Sequence, residues 1–349
     1  MSTFDILRTL CELPGPGGDE HRVQEYLKER WSARGFEVDS DGVGNLTAHV
    51  GGQGPKLALC AHADEVCFTV RHIDDRGFLW LSSGQRDIEG RPSLRSPYFL
   101  PLGHPALVIT AGEAVSGVFA TLTGHILTKA QRDTKELGWD DIWVDVGASS
   151  RAAAESSGIR IGDRVIWSPP TRRIGELVYA KAMDDRAGLT VLDLFAQRVD
   201  PRALAYDVYL VSTVQEEIGL IGAASVSRRL GCEIAIAVDI GLSGDVPGVD
   251  PRDVATHLGA GPILVHKDLY AYDRALTREL ERSAGAASIP VQHAVYVIYG
   301  SDAGEFVRAG VRAALVAIPT RYTHSPFETV HLGDVEAAAR LVERFASGS

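Results

Sequence analysis

Cysteine is scarce and unpatterned: Cys11, Cys60, Cys67 and Cys232 are the four in 349 residues, and no two stand in CxxC spacing. That spacing gives no sign of a thiolate zinc knot, and core thiols are a better reading than metal ligands. Cys60, Cys67 and Cys232 lie in or beside apolar stretches, so the thiols read as core residues. Positive charge is also short. Lys and Arg number 35 against 46 Asp and Glu, a formal net charge of -11, which opposes a nucleic-acid or anionic-membrane partner. There is no basic start followed by an apolar run, and no stretch reaches the ~18 uninterrupted apolar residues that span a bilayer. A cytoplasmic location is the default expectation.

What is present is the composition of a globular enzyme, with 45% apolar and 23% charged residues. The length exceeds the ~100–200 residues of one average domain, so two packed units or one domain with an insertion are expected. Phe4, Ile6, Leu7 and Leu10 have helical spacing over residues 3 to 12, and the PGPGG run at 14 to 18 ends that helix. A second helix is expected from Asp19 to Arg34, then the strand-like pieces FEVDS and NLTAHV around a DGVG turn. KLALCAHAD follows, too continuously apolar for a half-exposed strand and too short for a membrane. It reads as a buried parallel strand.

Three more runs have that character: AYDVYLVSTVQ at 205 to 215, EIAIAVDIG at 233 to 241 and RAALVAIP at 312 to 319. Each follows a helix candidate, at 185 to 198, 219 to 230 and 302 to 310, and an amphipathic helix closes the chain at 335 to 346. The alternation predicts an α/β fold, a mostly parallel sheet with helices on both faces. Residues 70 to 163 break the rhythm, being rich in glycine and short β-like segments with one brief helix near 150 to 157. They are expected to form an inserted, barrel-like β domain, leaving 1–69 and 164–349 as the catalytic domain.

In a doubly wound sheet the strand carboxyl ends form the ligand crevice. His62 and Asp64 follow KLALCA, Glu216 and Glu217 follow VYLVSTVQ, Asp239 ends IAIAV, His324 lies beyond LVAIP, and Asp184 precedes the helix beginning DRAGL. Singly, a strand-end Asp is more often a cap or turn former and a lone His a satisfied core or surface residue. Together, so many carboxylates and imidazoles at one rim demand neutralising cations. Two His and three carboxylates exceed the three protein ligands of one catalytic zinc. Two metals suit them: with Asp184 bridging, His62 and Asp239 serve one, His324 and Glu217 the other. Such a pair shares a water and polarises a carbonyl, a hydrolase centre. Glu216 is then the general base that passes a proton to the leaving amine, and Asp64 the partner that fixes the His62 tautomer.

The chain resembles the tetrahedral di-metal aminopeptidases, metallopeptidase family forty-two, which includes glutamyl, leucyl and lysyl aminopeptidases. The likeness rests on AHADE at 61 to 65, AKAMDDRAG at 180 to 188, VQEEIGLIGA at 214 to 223, AVDIG at 237 to 241 and RYTHSPFETV at 321 to 330. It extends to DVGASSR at 145 to 151 and GAGP at 259 to 262. The resemblance implies a zinc-exopeptidase-like fold, His62, Asp184, Glu217, Asp239 and His324 as metal ligands, Glu216 as base and Asp64 as partner of His62. It also implies dimer contacts through the β insert, and dimers that assemble into a hollow tetrahedral dodecamer. Ser301, Ala260 and Cys67 stand where the family commonly has Thr, Lys and Gly, which touches no proposed ligand and leaves the preferred N-terminal residue open. Asp302 fits equally as a pocket residue or as an N-terminal helix cap.

The expected activity is metal-dependent removal of N-terminal residues from short peptides with a free N-terminus, with zinc as the first metal and cobalt or manganese as alternatives. An N-acyl amino acid deacylase or a carboxypeptidase keeps the same metals, and a non-catalytic self-assembling shell keeps the same fold. A glycosidase is disfavoured, because the adjacent Glu216 and Glu217 are ill placed to flank a glycosidic bond from two sides.

Overall fold

The computed structural model describes residues 1–83, 102–129, 133, 141–297 and 299–348. The chain divides into two compact units. The first comprises Met1–Glu65, Thr171–Thr323 and Glu328–Ser349, and the second Val66–Pro170 with His324–Phe327.

Among the described residues, eleven strands of the first unit form one sheet. Its main path runs Glu37–Ser40, Leu46–Gly51, Asp207–Thr213, Lys56–His62, Ile234–Leu242, Arg312–Arg321, Glu328–His331, Leu177–Ala180 and Arg172–Ile174. Ile263–Lys267 also pairs with Arg312–Arg321 and carries Gln292–Val295 beyond it. The four central strands, from Asp207–Thr213 to Arg312–Arg321, are mutually parallel, and antiparallel strands flank them.

The central runs are apolar throughout because both faces are covered. Successive side chains point to opposite faces. Leu57, Leu59 and Ala61, with Ile234, Ile236 and Val238, enter one layer, packed with the helices Thr3–Glu12, His21–Ser32, Met183–Arg198, Arg274–Ala286 and Leu332–Ala346. Ala58 and Cys60, with Ala235 and Ala237, enter the other, beside Val226 of Ile221–Arg229 and Phe306 of Ala303–Arg308. Helices on both faces of a parallel-centred sheet are the α/β fold expected. The strands Ile263–Lys267 and Gln292–Val295 had no counterpart in the sequence reading. Gln292–Val295 is half polar and alternates between partly and fully exposed, so it carries no apolar run. Arg274–Ala286 forms because Leu276, Leu280 and Ala284 recur every fourth residue behind an Asp273 cap.

In the second unit six strands close a barrel in the order Phe68–Ile73, Leu79–Ser83, Trp143–Asp145, Val115–Ala120, Pro105–Ile109 and Arg164–Trp167. Phe68 fills its interior, edge-on to Phe119 and Trp167 with ring centroids 5.3 Å from each. Ser150 caps the short helix Arg151–Ser156 by accepting from Ala153 N. Among the described residues no helix is long and apolar enough to cross a membrane.

Candidate metal centre

His62 is the last residue of its strand, Asp239 lies in the neighbouring parallel strand, and Asp184 opens the helix Met183–Arg198. His62, Asp184 and Asp239 each offer a ligand atom, and these atoms lie within 4.8 Å of one another. All three are buried. His62 Nε2 is 3.0 Å from Asp184 Oδ1, and its Nδ1 faces Asp64 Oδ1 at 3.4 Å, long for a hydrogen bond.

The helix start that presents Asp184 is irregular. Ala182 is left-handed, and Asp184 and Asp185 leave helical geometry. Neighbouring groups hold this turn: Asp184 N donates to Glu328 Oε2 at 3.1 Å, Gly188 N donates to Asp185 Oδ1 at 2.9 Å, and His62 N donates to Asp185 Oδ2 at 3.3 Å. Asp185 thereby joins the His62 strand to the Asp184 turn. A Cβ at Gly188 would stand 2.4 Å from the Asp185 carboxylate, so glycine is required there.

Glu216 and Glu217 sit in the loop after Asp207–Thr213. Asp64 accepts from both backbones, from Glu216 N at 2.8 Å and Glu217 N at 3.1 Å. Fully buried Asn45 ties the two ends of the loop, accepting from Val214 N at 3.1 Å and donating to Gly222 O at 3.0 Å. Glu20 Oε1 accepts from Gln215 N at 3.1 Å.

Burial pushes the Asp239 carboxyl well above its ordinary range, and the charge of Asp184 adds to the rise. Asp185 is raised by burial and then by Asp239. Burial also lifts Glu216, which His62 pulls back down while Asp239 and Glu217 push further up. For His62 burial acts downward, but the bond to Asp184 and the nearby carboxylates of Asp64 and Glu216 outweigh it and hold the imidazolium well above its usual range. In the protein alone a proton on His62 thus partly offsets these carboxylates. A divalent cation fits the same place better: it meets an imidazole nitrogen and carboxylate oxygens, the donors that zinc, cobalt and manganese accept.

His324 and its neighbour Tyr322 have left-handed backbones, which turn the chain after the strand Arg312–Arg321. Thr323, the residue before His324, has its Oγ1 3.4 Å from Asp184 Oδ2. Asp302 stands at the N-cap position of Ala303–Arg308, but its side chain makes no capping bond; its Oδ2 instead accepts from Thr213 Oγ1 inside the core. Sequence reasoning missed Asp185, Asn45 and Glu328. Asp185 shared the AKAMDDRAG run, and Glu328 the RYTHSPFETV run; for Asn45 the only sign was a polar residue opening an apolar strand.

Burial, with the charge of Asp64 assisting, lifts the Glu20 carboxyl to about 7, against the pull of Gly18 N and Gln215 N, which donate to it. A folded pKa above the unfolded 4.5 adds stability below pH 4.5 that is lost as pH rises through about 7. Glu20→Gln keeps an acceptor and removes the charge. In chelated protein its stability relative to the parent is expected to grow between pH 5 and pH 8, by up to about 3 kcal/mol. Urea melts at both pH values check this; a difference independent of pH would contradict it.

Structural relatives place this architecture among aminopeptidases. The aminopeptidase APDkam598 from the archaeon Desulfurococcus kamchatkensis superposes with a TM-score of 0.91 at 29% identity, covering 99% of this chain and 95% of that one. The Pyrococcus horikoshii TET1 peptidase gives 0.86 at 27%, covering 99% of each. In sequence, the lysyl aminopeptidase of Pyrococcus furiosus is 31% identical over 98% of this chain and 96% of its own length. Residues 44–341 match the M42 glutamyl aminopeptidase family, and the chain belongs to that family. It is an enzymatic peptide hydrolase.

Proposed function

We propose that this peptide hydrolase is a metal-dependent aminopeptidase that removes N-terminal residues from short peptides with free N-termini. The observation that carries the reading is the convergence of His62, Asp184 and Asp239 within 4.8 Å. In the proposed centre His62 and Asp239 would hold one divalent cation and Glu217 and His324 a second, with Asp184 serving both. When bound, the pair supplies a water of lowered pKa and polarisation of the scissile carbonyl.

Glu216 takes a proton at its carboxylate and returns it to the departing amine, a role that its raised affinity for protons supports. Asp64 turns His62 through Nδ1 and, by accepting Glu216 N and Glu217 N, aims the loop that carries both glutamates. Zinc is the first expected metal, with cobalt or manganese as alternatives. The TET1 relative is described as assembling into a tetrahedron or a large octahedral shell. That supports a homo-oligomer here; in this reading the β insert at 70 to 163 is the dimer contact and a dodecamer the closed form. The four free thiols suit a reducing, cytoplasmic compartment.

The test is a panel of aminoacyl chromogenic substrates, free and N-acetylated, assayed after chelation and after readdition of zinc, cobalt or manganese. Activity is expected to vanish on chelation, return with metal and be confined to free amines. Equal cleavage of acetylated substrates would instead identify a deacylase or another exopeptidase, and undiminished cleavage after chelation would end the metal reading.

A further inference from the structure

The segments that carry the proposed ligands are joined by a buried ion cluster that the reaction leaves unused. Glu65 lies three residues after His62, and Lys181 three before Asp184; they are 2% and 3% exposed. Lys181 Nζ donates to both Glu65 carboxylate oxygens, each at 2.8 Å. The same carboxylate accepts from Gly15 N at 3.1 Å, with Arg186 Nη2 3.7 Å away. Glu65 N returns a bond to Gly15 O at 3.0 Å, and fully buried Arg186 donates through Nη1 to Leu10 O at 3.0 Å. A Cβ on Gly15 would fall 2.5 Å from Arg186 Nη2, so the PGPGG segment approaches this cluster as only glycine allows.

Desolvating one carboxylate and two cations is costly, and packed apolar side chains would serve stability as well or better. What the pair supplies is geometry. It bonds the strand end bearing His62 to the turn bearing Asp184, two segments whose donors stand 3.0 Å apart although 122 residues separate them in the chain.

We propose that Glu65 and Lys181 are positioning residues whose ion pair sets the His62–Asp184 spacing before any cation binds. The inference rests on the cation reading above. It is tested on the full chain after chelation by titration with Co²⁺, followed by calorimetry and visible absorption, and by amide exchange of peptides spanning 62–65 and 181–186 without metal. Glu65→Gln and Lys181→Met are each expected to weaken Co²⁺ binding by roughly tenfold or more and to speed exchange in both segments. Lys181→Arg, which keeps the charge and can still meet both carboxylate oxygens, should lose less affinity than Lys181→Met.

The double variant Glu65→Gln/Lys181→Met removes one charge of each sign and so keeps the cluster's net charge, and it leaves an acceptor for Gly15 N; it should therefore fold where Glu65→Gln alone does not, although Arg186 loses its neighbouring carboxylate. It is expected to lose less affinity than the two single losses combined, yet still to bind roughly tenfold more weakly than the parent. Parental affinity and parental exchange in the double variant would overturn the proposal, as would strictly additive losses. Should the parent itself take up no Co²⁺, the cation reading fails, and the metal-free exchange comparison decides the clamp by itself.

Discussion

Glu216→Gln is expected to lower kcat by about 10²–10⁴-fold while metal content, assembly and thermal stability stay near parental values. Gln keeps the size of the side chain and removes its capacity to carry a proton. The backbone of residue 216 bonds to Asp64 through N–H, which the substitution does not touch, so the loop keeps its place. The loss should therefore fall on kcat, with KM little changed. Steady-state kinetics alongside metal analysis of the purified variant checks this. Turnover within threefold of the parent would remove Glu216 from the base role.

Asp184→Asn is the second large effect, and it has opposite signs with and without metal. The carboxylate is proposed to serve both cations, so the variant should retain well under one metal per chain after dialysis and lose nearly all activity. A ligand that binds only the folded state at 100 times its dissociation constant stabilises by about 2.7 kcal/mol, and the variant forfeits that contribution for each cation lost. In chelator the balance reverses. Asp184 sits among buried acids and raises the pKa values of Asp239 and Asp185. A carboxyl raised in this way contributes stability below its unfolded pKa that is lost as pH rises through the folded value. At neutral pH, metal-free Asp184→Asn should therefore melt at a higher temperature than the metal-free parent, and at a lower one when both are given metal. The same ordering in both conditions would remove Asp184 from the centre.

The central sheet was legible because burial on two faces leaves an unmistakable mark: runs such as KLALCA and EIAIAV without alternation. The ligand candidates could then be read from a single rule, that such strands present their carboxyl ends to a crevice. His62 and Asp239 were found that way, and the structure brings them together with Asp184. The residues that hold them in place were not legible. Asp185 acts through His62 N, Asn45 through Val214 N and Gly222 O, and Glu328 through Asp184 N, contacts between segments far apart in sequence. Each is an ordinary polar side chain until the chain closes around it. The flanking strand Gln292–Val295 stayed hidden for a related reason: a partly solvated strand needs no apolar run.

Alternation along the two central strands has one more consequence. His62 follows Ala58 and Cys60, and Asp239 follows Ala235 and Ala237, at steps of two, so by strand geometry both emerge on the alanine-rich side of the sheet. The aliphatic side receives Leu57, Leu59, Ile236 and Val238. Sliding either strand by a single position would bury an acid or an imidazole among leucines and turn aliphatic side chains toward the rim. Correct threading of these strands and a competent centre are thus one event, and a misthreaded copy is penalised in its core before it can become a faulty catalyst.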